Sequence, residues 1–518
     1  MEWKRGCRPV AFWQGTGLLL LGGILSRLLG LYRLLLPRLL GPEGVGLYHM
    51  AYPAYALTLA IATGGLPVAV SRLVAQSVAR GRHREALRVL RVAQNVLLAL
   101  GLIGASGLYL AAPWLALHVA RDARAAPAIA AVAPAVLLVA AMSSLRGYFQ
   151  GYQEMAPTAV SQVLEQLVRV VAIVVLASLL RPLGIAWAAA GVAGAAGIGA
   201  LAGLLSLLVM RRVRRLPRGG ARGMPARQIL TTLLGIALPI TVTGLGVPLM
   251  QLLDLAVVPA VLQQMGVAAG SRTGAYGVLS GYAMPLVALP AILSGAIAVA
   301  LVPAVAAATS SRDGAQARAL TRDALAAAWR WLLPAAGGLF LLARSIVVLF
   351  FGSPDAAQSL MALAPSALLF GFGQVAASAL QGYGHTWRPL GNLCVATLVK
   401  LGLSLVFVRQ MGIVGAALAT SMAYAVWTAL NLAAIARLTR QPALGAWALP
   451  PILAAAGMGI VLRLMGTPTS GSATLLAVAA GGATYLALLG IQGGFGQAER
   501  EALRSIARRA RSMLEGRR

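Results

Sequence analysis

Apolar residues in this chain run in blocks of roughly 20, the length an α-helix needs to cross about 30 Å of hydrocarbon. That spacing constrains the fold more than any motif. A bilayer core offers the backbone no hydrogen-bond partner, so a spanning segment must be a helix or a strand of a closed barrel. These blocks are continuous and rich in Leu, Ala and Gly, without the apolar–polar alternation of a barrel strand. Of 518 residues, 59% are apolar and only 11% charged, too little polar surface to cover a soluble body of this size. The sequence therefore predicts an all-α integral membrane protein with no soluble domain large enough to hold an enzyme.

About 14 spans are predicted, near 10–33, 47–70, 92–117, 128–149, 157–180, 184–210, 229–261, 274–305, 325–351, 360–381, 389–408, 413–436, 446–465 and 472–491. The net charge of +30 invites a nucleic-acid reading, but the basic residues cluster in short segments between apolar blocks, which argues against that partner. Alternate loops carry them: Lys4, Arg5 and Arg8; then Arg80, Arg82, Arg84, Arg88 and Arg91; then Arg211 to Arg227; then Arg312, Arg318 and Arg322; then the tail from Arg500. The opposite loops hold far fewer. Cytoplasmic loops attract positive charge, so both termini are predicted inside, where the basic groups meet anionic membrane lipids. The tail from about 497 has the pattern of a basic amphipathic helix lying on the membrane surface.

The sequence repeats itself. Ala133-Pro134 opens a span that ends in Gln150-Gly151-Tyr152, with Pro157 following; Ala364-Pro365 opens another that ends in Gln381-Gly382-Tyr383, with Pro389 following. The step from Ala133 to Ala364 equals the step from Gln150 to Gln381, and the step from Pro157 to Pro389 is longer by a single position. The shift covers six spans, so both copies share one orientation, a parallel repeat about an axis along the membrane normal. The expected organisation is an N-terminal six-helix lobe (1–210), a basic linker (211–228), a C-terminal six-helix lobe (229–437), two extra helices (438–491) and a basic tail (492–518).

Ionisable groups within spans are costly and mark function by default. Arg169 lies near the middle of span 5 and Lys400 near the middle of span 11, and the step of the repeat carries one onto the other. Two cations facing one central cavity make an anion site. Thr158, Gln162, Glu165, Gln166 and Arg169 share one face of span 5 by their spacing, a polar stripe that faces something wet or polar, such as a cavity. Glu165 and Arg169, four apart, also suit a simple structural pair. Arg27 lies deep in span 1, and Arg33 nearer its outer end, where it can reach the headgroups. Asp254 and Glu165 are the carboxylates well inside spans, which makes Asp254 the candidate for coupling to a sodium or proton gradient; a buried neutral acid is the alternative.

Catalytic chemistry has little support. His49, His83, His118 and His385 form no metal-ligand spacing, and no Gly-rich phosphate loop followed by Lys-Ser or Lys-Thr is present. No cofactor and no metal are expected, and Cys7 and Cys394 imply no disulfide framework.

Several stretches carry a family resemblance. Ser26-Arg27-Leu28-Leu29-Gly30, Leu40 to Tyr48, and Gly65-Leu66-Pro67 with Ser71-Arg72 resemble the opening of polysaccharide flippases. Arg146-Gly147-Tyr148-Phe149-Gln150-Gly151, Met155 to Gln162 and Glu165 to Arg169 resemble the stage V sporulation protein B-like and MurJ-like flippases, as do Tyr276-Gly277, Leu289-Pro290 and Leu301 to Ala304. These belong to the multidrug/oligosaccharidyl-lipid/polysaccharide exporter superfamily. The resemblance covers about residues 15–440. It implies two lobes around a cationic cavity that faces each side in turn, and outward movement of undecaprenyl-diphosphate-linked saccharides. It also implies cell-wall synthesis enzymes as partners, with spore cortex as one setting. Through a Ser-Arg-x-x-Gly-x-x-Arg pattern it adds Arg27 and Arg33 to the substrate site. The sequence departs from the MurJ pattern after Tyr276-Gly277, where Val278 and Leu279 stand in place of an Arg.

The function expected is thus transport of a lipid-linked saccharide diphosphate, with Arg27, Arg33, Gln162, Glu165, Arg169 and Lys400 at the substrate. A drug or cation antiporter of the same superfamily is the alternative, and would favour carboxylates over Arg and Lys within the membrane. A membrane-embedded glycosyltransferase would need a larger outer loop or an acidic cluster.

Overall fold

The computed structural model describes residues 36–213, 224–442 and 444–494, and every regular element among them is a helix. Among the described residues, thirteen helical segments are long and apolar enough to cross a membrane. They coincide one for one with the second to fourteenth predicted spans. Span 1, with Arg27 and Arg33, the middle of the basic linker and the amphipathic tail lie outside the described residues.

Two compact units account for the packing, Met1–Gly281 and Tyr282–Arg518. In the first, α1 (Leu36–Thr63) breaks at Gly41, where φ is 66°, and Pro42 restarts the helix. α2 (Leu66–Ala79) follows Gly64 and continues the same span. Next come α3 (His83–Trp114), α4 (Ala126–Gly151), α5 (Met155–Leu180), α6 (Ile185–Val213), α7 (Ala226–Gly244), α8 (Gly246–Gln264) and α9 (Ala269–Gly277). The second holds α10 (Met284–Ser310), α11 (Gly314–Leu341), α12 (Ala343–Phe351), α13 (Ala357–Gly382), α14 (Trp387–Met411), α15 (Ile413–Thr439), α16 (Leu449–Leu464) and α17 (Gly471–Ile491).

By packing, the units divide after Gly281. α7 rests on α2 and α3, while α8 and α9 rest on α1, so residues 226–281 pack with the first unit. Glycine makes these contacts. A Cβ on Gly65 would run into Ala237 of α7, and one on Gly46 into the Thr273 carbonyl of α9. The division between units falls within a π-helical turn, Val278–Ala283, that joins α9 to α10 in a single span.

The internal repeat reappears in element boundaries and contacts. The step that carries Ala126 to Ala357 and Gly151 to Gly382 maps both ends of α4 onto those of α13, and it also carries His83, the start of α3, to Gly314, the start of α11. Gly151 of α4 lies against Val74, and Gly382 of α13 against Val305, the same pair at the same displacement. Each unit has a core built on this frame. In the first, Leu73, Leu90, Leu97, Met142 and Leu145 pack with Leu207 and Leu233; in the second, Val305, Leu325, Leu332 and Phe372 pack with Ile435. Outward side chains are apolar too: Leu110 is 77% exposed and Leu464 83%. A hydrocarbon surround accepts such faces at no cost, and helices within it associate through small residues that let backbones approach.

Candidate functional site

Lipid gives no reward for burying leucine, so the informative positions inside unit 1 are polar. α5 presents Ser161, Glu165 and Arg169 on one face, a helical turn apart. α6 can lie close against that face because it carries glycine there. A Cβ on Gly199 would stand 2.6 Å from the Glu165 carbonyl oxygen, and one on Gly203 would stand 3.3 Å from the Glu165 Cβ. α4 approaches the same face and supplies Arg146.

Three charges meet there. The Arg169 guanidinium donates to Glu165 Oε1 at 2.7 Å, and Arg146 donates to Glu165 Oε2 at 3.0 Å. Arg146 Nε also donates to Ser161 Oγ at 3.0 Å, and that hydroxyl donates to the Thr158 carbonyl at 2.8 Å. The carboxylate side chain is only 10% exposed, and each of its oxygens is taken by a different arginine. Both readings of the Glu165–Arg169 spacing therefore hold together: the two residues pair, and both also line a cavity.

That cavity has a volume of about 300 Å³ and lies wholly inside unit 1. Tyr48, Tyr52 and Tyr55 of α1 line it together with Glu165, Gln166 and Arg169 of α5, with Val132, Val192 and Ala193 among the apolar walls. Gln162 is half-buried and is absent from the cavity wall, and so is Arg146, which stands behind Glu165. The arrangement is a cationic group on the wall of a tyrosine-lined chamber, suited to an anion that also accepts hydroxyl hydrogen bonds.

Comparison with known proteins establishes the kinship of the chain. The family described as "Polysaccharide biosynthesis protein" matches residues 12–309, more than half of the chain. The chain belongs to this family. Stage V sporulation protein B of Bacillus subtilis (strain 168) is 34% identical to this family member over 439 residues, 82% of this chain and 84% of that protein. Lipid II flippase MurJ of the same organism is 28% identical over 436 residues, 79% of this chain and 80% of that one. Among solved structures, lipid II flippase MurJ in an inward closed conformation matches with a TM-score of 0.69 at 17% identity, covering 92% of this chain and 98% of that chain. An inward-facing multidrug resistance transporter of the MATE family matches with a TM-score of 0.66 at 18% identity, covering 80% and 94%. At these identities the structural likenesses show the fold.

Two further predicted site residues of this polysaccharide biosynthesis family member stand on other helices. Lys400 is buried on α14 in unit 2, 3% exposed, with buried Ser404 one turn on. Asp254 is buried on α8 in unit 1, 4% exposed. Glu165 and Arg169 are in direct contact.

Sequence reasoning missed Arg146, which it read as part of a family stretch near the end of a span. The available signal was its place within the predicted span 128–149, where any arginine needs a partner. It also missed a cluster at the α3–α4 loop. Arg124 donates to Glu43 at 2.6 Å and to Asp122 at 2.8 Å, and the Thr273 hydroxyl donates to Asp122 at 2.6 Å. Burial pushes the Asp122 carboxyl up, but the hydrogen bonds from Arg124 and Thr273 outweigh it and hold the group below its ordinary value. Asp122 and Arg124 in the loop meet Glu43 and Thr273 on helices distant in sequence, and no periodic pattern foretells such a meeting.

Proposed function

We propose that this protein is a flippase that carries an undecaprenyl-diphosphate-linked saccharide, a peptidoglycan precursor such as lipid II, outward across the cytoplasmic membrane by alternating access. The observation that carries the proposal is Arg169 on the wall of a tyrosine-lined cavity, paired with a carboxylate that a second arginine also holds. A diphosphate leaving water needs cationic donors to offset its lost hydration, and arginine supplies them in a planar, two-toothed form. Tyrosine hydroxyls and Gln166 offer the mixed hydrogen bonding a saccharide takes. Kinship with stage V sporulation protein B and with lipid II flippase MurJ supports the substrate class and a setting in sporulation, with spore cortex as the proposed destination.

On this reading the protein transports and does not catalyse. Lys400, Arg27 and Arg33 are further cations for the substrate, and Asp254 couples the cycle to an inward sodium or proton gradient. Both termini face the cytoplasm. Externally applied thiol reagent should reach Asp355→Cys and miss Gly220→Cys in a cysteine-free background; labelling of position 220 from outside would reverse the topology.

Binding of lipid II to the purified protein in phosphatidylglycerol-containing nanodiscs tests the substrate. The affinity should fall on Arg169→Ala, and a deletion strain should accumulate the lipid-linked precursor on its inner leaflet. The fold shared with a MATE transporter favours one second reading, a drug or cation antiporter. Binding of lipophilic cations alone, with precursor movement normal in the deletion strain, would establish that reading instead.

A further inference from the structure

We infer that Arg146, which does not line the cavity, sets how strongly the cavity binds an anion by holding Glu165 away from exclusive partnership with Arg169. The inference rests on the proposed function in taking Arg169 as the anion-binding group.

One carboxylate serves two guanidiniums here. Glu165 gives Oε1 to Arg169 at 2.7 Å and Oε2 to Arg146 at 3.0 Å. Arg146 is itself anchored, its Nε on Ser161 Oγ at 3.0 Å. The wall of the cavity contains Arg169 and Glu165 but not Arg146. The order is therefore anchor, carboxylate, cavity cation. All three side chains are mostly enclosed, at 17%, 10% and 14% exposed, so water screens their mutual attraction weakly.

Charge sharing decides what Arg169 can do. A carboxylate held by one arginine closes on it, accepts from it with both oxygens and cancels its charge. A carboxylate whose second oxygen belongs to another guanidinium is a weaker competitor. Arg169 then keeps more positive character toward the cavity than an exclusive pair would leave it, and an incoming diphosphate oxygen meets a stronger donor. Removing Arg146 would hand both carboxylate oxygens to Arg169 and turn an anion site into a closed ion pair. Arg146 is in this sense a positioning residue, acting on the ligand through Glu165.

Two probes separate this inference from the substrate assignment: inorganic pyrophosphate, which reports anion binding without lipid, and lipid II. Both are titrated against full-length protein in nanodiscs of phosphatidylcholine and phosphatidylglycerol. Arg146→Gln should weaken pyrophosphate binding about tenfold, the size of one charge-assisted hydrogen bond lost to the ligand. Arg146→Lys should retain most of the affinity. Glu165→Gln should tighten binding, because the competitor for Arg169 is gone. The double change Arg146→Gln, Glu165→Gln should regain the affinity that Arg146→Gln alone loses. A merely structural role for Arg146 predicts the reverse, a double variant as weak as the single one, and that result would overturn the inference. So would wild-type binding by Arg146→Gln, weakened binding by Glu165→Gln, or no pyrophosphate binding by the unaltered protein. If Arg146→Gln does not fold, Glu165→Gln and Arg146→Lys still give the decisive signs. If pyrophosphate follows the expected order while lipid II does not bind at all, the inference stands and the proposed substrate falls.

Discussion

Unit 1 and unit 2 are built on one helical frame and charged in different ways. α4 and α13 share their boundaries under the internal repeat, and each leans a terminal glycine on a valine of a neighbouring helix. The ions do not follow. Arg146 of α4 answers to Ala377 of α13, and α14 has no carboxylate anywhere along its length, so nothing one turn before Lys400 answers to Glu165. Among the described residues of unit 2 the carboxylates are Asp313 and Asp355, which stand outside the helices, and Asp323, exposed on α11. A duplicated scaffold can thus keep its packing, which lipid and helix geometry dictate, while its electrostatics are rewritten one residue at a time. Unit 1 holds a partly compensated arginine on a cavity. Unit 2 holds a buried lysine with no acid on its own helix.

The largest expected effect is the loss of either cation. Arg169→Ala and Lys400→Ala should each reduce precursor movement in reconstituted vesicles to background, with protein abundance in the membrane near normal. Loss of activity in one variant only would assign the cationic path to a single unit. Copying the unit 1 arrangement into unit 2 is the next test. Ala396→Glu places an acid four residues before Lys400, the spacing at which the two pair on a helix. Lipid II affinity should fall about tenfold as the new carboxylate competes for the lysine, and an unchanged affinity would show that Lys400 does not face the substrate.

The shared frame makes its own claim. Gly151→Ala and Gly382→Ala each push a methyl group against a valine Cβ, at 2.5 Å and 2.7 Å before relaxation. Both should destabilise by about 1–3 kcal/mol, and by similar amounts, read as lowered thermal unfolding temperatures. A large disparity would mean that the repeated contact no longer does the same job in both units. The smallest effect concerns pH. Asp122 has its carboxyl held below the ordinary value, so its ionised form stabilises the folded state above the unfolded carboxylate pKa, about 3.9. That contribution is lost as pH falls through the lower folded value. Stability measured from pH 6 downward should therefore decline with a slope that Asp122→Asn reduces. An unaltered slope would remove Asp122 from the acid response.

Thirteen spans were legible because the bilayer sets their length, and the repeat was legible because proline, glutamine and tyrosine recur at one offset within a chain of little variety. Glu165 and Arg169 were legible by helical spacing. Arg146 was not: its partner sits across a helix interface on α5, and spacing along one helix says nothing of which face meets a neighbour. The packing boundary at Gly281 was hidden for a related reason. It follows from glycines at 46 and 65, which admit α9 and α7, and no hydropathy pattern distinguishes an admitting glycine from an idle one.

The cavity beside Arg169 has a consequence for how ligands can be told apart. At about 300 Å³ its described walls all belong to unit 1. A compact water-soluble acid with a hydroxylated ring would therefore probe Arg169 and the three tyrosines without engaging Lys400.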